Sequence, residues 1–96
     1  MSNDVTYKKM AGTSAVFLRN DYNGPSPVER DGLTWTAAEL HLSELPELCQ
    51  LPPMANVLAL EGLEDYEPPS HGDTRMVNSL GVSFIYWQPI KGWIQC

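Results

Sequence analysis

The chain has six Lys and Arg residues against twelve Asp and Glu, two His and two Cys. The metal-ligand candidates are too scattered for a zinc centre: His41, Cys49, His71 and Cys96 include no CxxC or HxxxH pair, whereas a structural zinc needs about four ligands in close array. No apolar run approaches the roughly 18–20 residues that span a bilayer. The opening Met1-Ser2-Asn3-Asp4 lacks the basic start and apolar stretch of a secretion signal. The expected location is therefore the cytosol, with Cys49 and Cys96 both reduced. Glycine-rich phosphate loops and dinucleotide fingerprints are also missing, so no cofactor is expected.

The shortage of cations is concentrated. Residues 31–74 carry nine acids (Asp31, Glu39, Glu44, Glu47, Glu61, Glu64, Asp65, Glu67, Asp73) and no Lys or Arg. Nucleic-acid affinity depends on Lys and Arg displacing phosphate counterions, so such a segment repels nucleic acid. A basic patch on a protein is the matching partner; a solvated surface that maintains solubility is the simpler reading of the same charge.

The 96 residues, 43% of them hydrophobic, suffice for one folded domain over 1–96 and no more. The polar stretch 1–13 reads as a loosely held arm. Ala15 to Arg19 has strand character, and residues 20–27, with Pro25 and Pro27, read as a loop. Arg30-Asp31-Gly32 is suited to a tight hairpin between 28–29 and 33–35. Thr36 and Glu39 form a capping box that predicts a helix from Ala37, and Ser43 predicts a second short helix that takes Pro46 into its first turn and ends at Pro52-Pro53. Asn56 to Leu60 reads as a strand, and Asp73 or Thr74 as the cap of a helix ending at Gly81. Val82 to Gln88 and Trp93 to Cys96, joined through Pro89 and Gly92, read as a terminal β-hairpin. The fold class expected is α+β, with short antiparallel strands, a C-terminal hairpin and two or three short helices.

No catalytic residue emerges. Ser70-His71-Gly72-Asp73 contains the letters of a triad, but adjacent positions do not converge in line and the segment reads as a turn. Glu64, Asp65 and Glu67 lie in a stretch that looks solvated, whereas a general acid needs a raised pKa in a partly apolar cleft. The candidate contact residues are instead Glu64, Asp65, Tyr66, Glu67, Pro68 and Pro69, an acidic and proline-stiffened loop, together with Trp87 and Trp93. Tryptophan serves both cores and interface hot spots. Trp35, beside the capping box, is assigned to the core. Phe84 and Trp87 must face opposite sides of their strand, so either that strand is central or one face awaits a partner.

In size, and in the acidic run Glu64 to Glu67 leading into Pro68-Pro69, the chain resembles small phage or prophage proteins that inhibit host enzymes, of the anti-RecBCD type found in lambdoid phages. That resemblance implies a non-catalytic counter-defence protein. Its expected partners are a host enzyme complex, the RecBCD recombination nuclease, and a cyclophilin-type prolyl isomerase, with Pro68 the proline contacted and Pro25 its rival. A small virion or assembly protein that oligomerises through β edges is the alternative from a different class. An immunity protein that neutralises a toxin shares the physics of an acidic binder.

Overall fold

A computed structural model of the chain describes residues 6–24, 29–40 and 49–95. Among the described residues there are seven strands: β1 (Thr6–Met10), β2 (Val16–Arg19), β3 (Arg30–Thr36), β4 (Cys49–Gln50), β5 (Asp73–Val77), β6 (Val82–Trp87) and β7 (Gly92–Gln95). They form one mixed sheet in the order β3-β1-β2-β7-β6-β5-β4. The β2–β7 and β4–β5 pairs are parallel and the remainder antiparallel. Among the described residues one short helix, α1 (Val57–Glu61), runs into a 3-10 turn over Gly62–Asp65, and a second 3-10 turn covers Gln88–Ile90.

The α+β expectation with two or three helices is therefore overturned, and the sheet dominates. Asn56 to Leu60, expected to be a strand, is helical: the Asn56 side chain accepts a hydrogen bond from the Ala59 amide at 2.8 Å, and the Leu60 amide donates to the Asn56 carbonyl at 3.1 Å. Val57, Leu60 and Leu63 recur every third residue and pack on one side, a helical period that a short apolar run conceals. The opposite exchange occurs at 74–80. Thr74 to Val77 pair with Ile85 to Val82, and tertiary pairing overrides local preference. Gly81, expected to end a helix, has φ +73° and closes the β5–β6 turn instead.

The Thr36–Glu39 capping box forms in full. The Thr36 amide donates to Glu39 Oε1 at 2.9 Å and the Glu39 amide to Thr36 Oγ1 at 3.2 Å. Residues 37–40 make a turn, not a helix, and end on Leu40, which is buried. The helix expected from Ser43 lies mostly at 41–48, outside the described residues; Cys49–Gln50, its expected end, is β4.

Residues 6–10, expected in a loose arm, form an inner strand with a neighbour on each side. The hairpin expected around Asp31-Gly32 is replaced by a bulge. Register runs Lys8↔Thr34 and then Met10↔Arg30, so Lys9 alone faces Asp31, Gly32 and Leu33. An ion pair from Lys9 to Asp31, 2.7 Å, pins that bulge. A bulge distorts the ladder that a strange chain would have to extend, and at Thr36 the amide and carbonyl are both engaged by its own chain, by Glu39 and Leu40. The β3 edge is thus blunted at two points. At the opposite edge β4 covers two of the described residues, Cys49–Gln50.

Both faces of the inner strands β2, β6 and β7 are covered. Val16, Leu18, Phe84, Tyr86 and Trp93 point to one side, where Leu60 of α1, Met10, Val77 and Leu80 complete a core. Phe17, Ile85, Trp87 and Ile94 point to the other, beneath Leu40, with Trp35 set edge-on to Phe17 at 6.0 Å. Phe84 and Trp87 do face opposite ways, and their strand is central. The terminal hairpin forms as expected, Ile85 pairing with Ile94 and Tyr86 with Trp93.

Gly92 leaves no room for a side chain against backbone. A side-chain carbon there would lie 2.5 Å from the Ala15 carbonyl oxygen, which already accepts the Trp93 amide at 2.8 Å. Backbone cannot yield cheaply, so Gly92→Ala is expected to destabilise the fold by about 2 kcal/mol. A lowered urea midpoint with unchanged slope is the expected readout; an unchanged midpoint would show that the two strands are not so closely apposed.

Candidate functional site

The acidic loop begins where α1 ends. Leu60 and Leu63 anchor the α1 segment on the first core, so the chain that follows is displayed on a fixed base. The Tyr66 and Glu67 amides both donate to the Leu63 carbonyl, at 3.1 and 2.8 Å, folding the loop back on its own turn. Asp65, Tyr66, Glu67 and Pro68 are exposed, Tyr66 by 85%, and Pro69 is half-buried. Glu64 lies within the 3-10 turn Gly62–Asp65.

The brace beneath this ridge is Arg75, on β5. Its guanidinium is 10% exposed, donates from Nη1 to the Pro52 carbonyl at 2.9 Å and reaches Glu67 Oε2 from Nη2 at 3.6 Å. The Met54 sulfur lies 3.5 Å from the same Nη1. One buried cation therefore ties three segments together: 52–54, the ridge and β5. Sequence reasoning missed Arg75 because the segment around it read as a helix. Leu58 was missed for the converse reason. Once 57–61 is helical, Leu58 falls outside the Val57, Leu60, Leu63 stripe, and it is 79% exposed on the outside of the same segment as Tyr66.

Trp87 and Trp93 sit apart from the ridge. Each is 3% exposed, in the cores on opposite faces of the sheet, so neither presents its ring to a partner in this fold. Trp93 packs on Tyr86 with centroids 5.3 Å apart, and Trp87 lies under the His71 ring at 4.6 Å. The structure thus brings 64–69 together and places the two tryptophans elsewhere.

Ser70 to Asp73 is a turn. The Ser70 amide donates to Asp73 Oδ2 at 2.9 Å, the Asp73 amide returns to the Ser70 carbonyl at 3.0 Å, and His71 Nδ1 accepts the Gln88 amide at 3.0 Å. These side chains are occupied in closing the turn against the β6 end. Among the described residues no group of three or more His, Cys, Asp or Glu is placed to hold a metal, and Cys49 is a free, exposed thiol. No helix of the described residues is long and apolar enough to cross a membrane.

Comparison of the chain with protein-family models, with curated proteins and with solved structures finds no match in any of the three.

The unequal burial of the Arg75–Glu67 pair sets unequal costs. Glu67 is 77% exposed on its side chain and hydrated when unpaired, so Glu67→Gln is expected to change stability by less than about 0.5 kcal/mol. Arg75→Met leaves the Pro52 carbonyl without its donor and opens the base of the ridge, with an expected loss of about 2 kcal/mol. Paired urea titrations check this. Equal effects for the two variants would contradict a brace centred on Arg75.

Proposed function

We propose that this is a non-catalytic binding protein whose contact surface is the ridge around Tyr66. The observation that carries the reading is the position of that ring: a large aromatic, 85% exposed, between exposed Asp65 and Glu67, on a loop held by backbone bonds and braced from below. An exposed tyrosine on a pre-ordered backbone loses little entropy on docking, and tyrosine is enriched among residues that dominate binding energy. Flanking carboxylates favour a partner with a basic rim around an apolar pocket.

In its specific form the proposal is a phage or prophage protein that inhibits or modulates a host enzyme handling DNA, the RecBCD nuclease, with a cyclophilin-type prolyl isomerase as co-partner. The specific form rests on the resemblance of the Glu64 to Pro69 run. Pro68 is exposed and follows an exposed Glu67, so an isomerase has access to that bond; its rival Pro25 lies outside the described residues. The blunted β3 edge weighs against assembly through that edge.

Purified RecBCD and a bacterial cyclophilin are the partners to test. Tyr66→Ala is expected to weaken RecBCD binding by about tenfold or more without moving the urea midpoint. Pro68→Ala is expected to abolish cyclophilin retention and leave the fold intact. Absence of RecBCD binding removes the specific reading; binding that is unchanged by Tyr66→Ala removes the ridge.

A further inference from the structure

The carboxyl ends of β2 and β7 open into a cleft of ≈ 360 Å³ that the ridge does not share. Arg19, Asp21, Tyr22, Leu80, Val82 and Gln95 line it. Its floor is unusual in one respect. Gln95 is 9% exposed, and its Oε1 accepts the Arg19 amide at 2.9 Å, which fixes the orientation of the carboxamide. The other half of that group, Nε2, has no hydrogen-bond partner among the described residues. No side-chain nitrogen or oxygen among them is both sealed from solvent and unpartnered, so Nε2 keeps some solvent contact, and Gln95 is one of the residues that line the cleft.

The rim supplies the complementary group. Asp21 is held by Arg19 through two bonds, Nε to Oδ1 at 3.2 Å and Nη2 to Oδ2 at 2.9 Å, which offset the local charge and leave a lone pair on each oxygen. Tyr22 forms a wall fixed by its hydroxyl, which donates to the Leu80 carbonyl at 2.9 Å, and Leu80 and Val82 add apolar surface.

A fixed donor on the floor, a fixed acceptor on the rim and an apolar wall match a planar group that carries a carbonyl and an N–H together. We propose that this cleft binds an amide, its carbonyl accepting from Gln95 Nε2 and its N–H donating to Asp21. A free carboxylate offers acceptors alone and leaves the Asp21 oxygens without a donor, so an amide is the better match. Peptide backbone and primary carboxamide are two sources of the same chemistry. The inference is independent of the ridge and of its partner.

The test is a titration of the whole ¹⁵N-labelled chain, following the Gln95 side-chain NH₂ pair. N-acetylglycine N-methylamide probes the peptide backbone, propionamide the primary carboxamide, and acetate the carboxylate. Saturable shifts at Gln95, Gly81 and Val82 with either amide support the site, and the amide that saturates first identifies the source. Gln95→Glu retains an oxygen for the Arg19 amide and removes the donor, so it is expected to weaken amide binding about tenfold, at a lowered unfolding midpoint because its carboxylate is nine-tenths buried. Asp21→Ala, at an exposed side chain, provides the second arm and is expected to weaken binding likewise. The proposal is overturned if neither amide saturates, if acetate saturates as readily, or if a folded variant of either kind binds as the parent does.

Discussion

The parallel pairing of β2 with β7 is the contact on which the rest of the sheet depends. Without it the chain has β3-β1-β2 on one side and β7-β6-β5-β4 on the other, two small sheets that each leave apolar groups uncovered. Val16 stands opposite Trp93 and Phe17 opposite Ile94, so one short ladder carries both cores across the join. Gly92 permits the approach, and the Gln95 side chain extends it by taking the Arg19 amide beyond the last paired residues. These partners lie 76 residues apart. Closing so long a loop costs entropy before any contact repays it, so the join should form late and hold the domain together once formed.

The two proposed surfaces inherit their order from this frame. The ridge rests on α1, α1 rests through Leu60 on the first core, and that core includes residues from both sides of the join. Arg75 transmits the same rigidity from β5. The amide cleft is closer still, since Arg19 and Gln95 terminate the two joined strands. Exposed groups on an ordered base are the arrangement that recognition needs, because the ordering cost is met during folding rather than on binding.

Sequence made some of this legible and concealed the rest for identifiable reasons. The C-terminal hairpin was readable because aromatic and β-branched residues flank a Pro/Gly connection, and its pairing is local. The exposed loop expected over 63–73 was readable in part, because prolines and clustered acids suit neither a strand nor a core, although Leu63 to Asp65 form a 3-10 turn and Asp73 begins β5. Asn56 to Leu60 and Thr74 to Val77 exchanged roles because short apolar runs fit either period, and distant partners decide between them. The Asp31-Gly32 pair was recognised as a break in regular backbone, but the break is a bulge in a continuous strand. Trp87 and Trp93 could not be placed as core from their own neighbourhood: what buries them comes from β2, α1 and Leu40, far away in the chain.

Native-state hydrogen exchange tests the keystone role of the join most directly. If β2 and β7 hold the two halves in one cooperative unit, the Phe17 and Ile94 amides exchange only through global unfolding, with the free energy measured by urea. Exchange of those amides through a markedly cheaper opening, while β5 and β6 stay protected, would contradict that account and describe two halves that part independently.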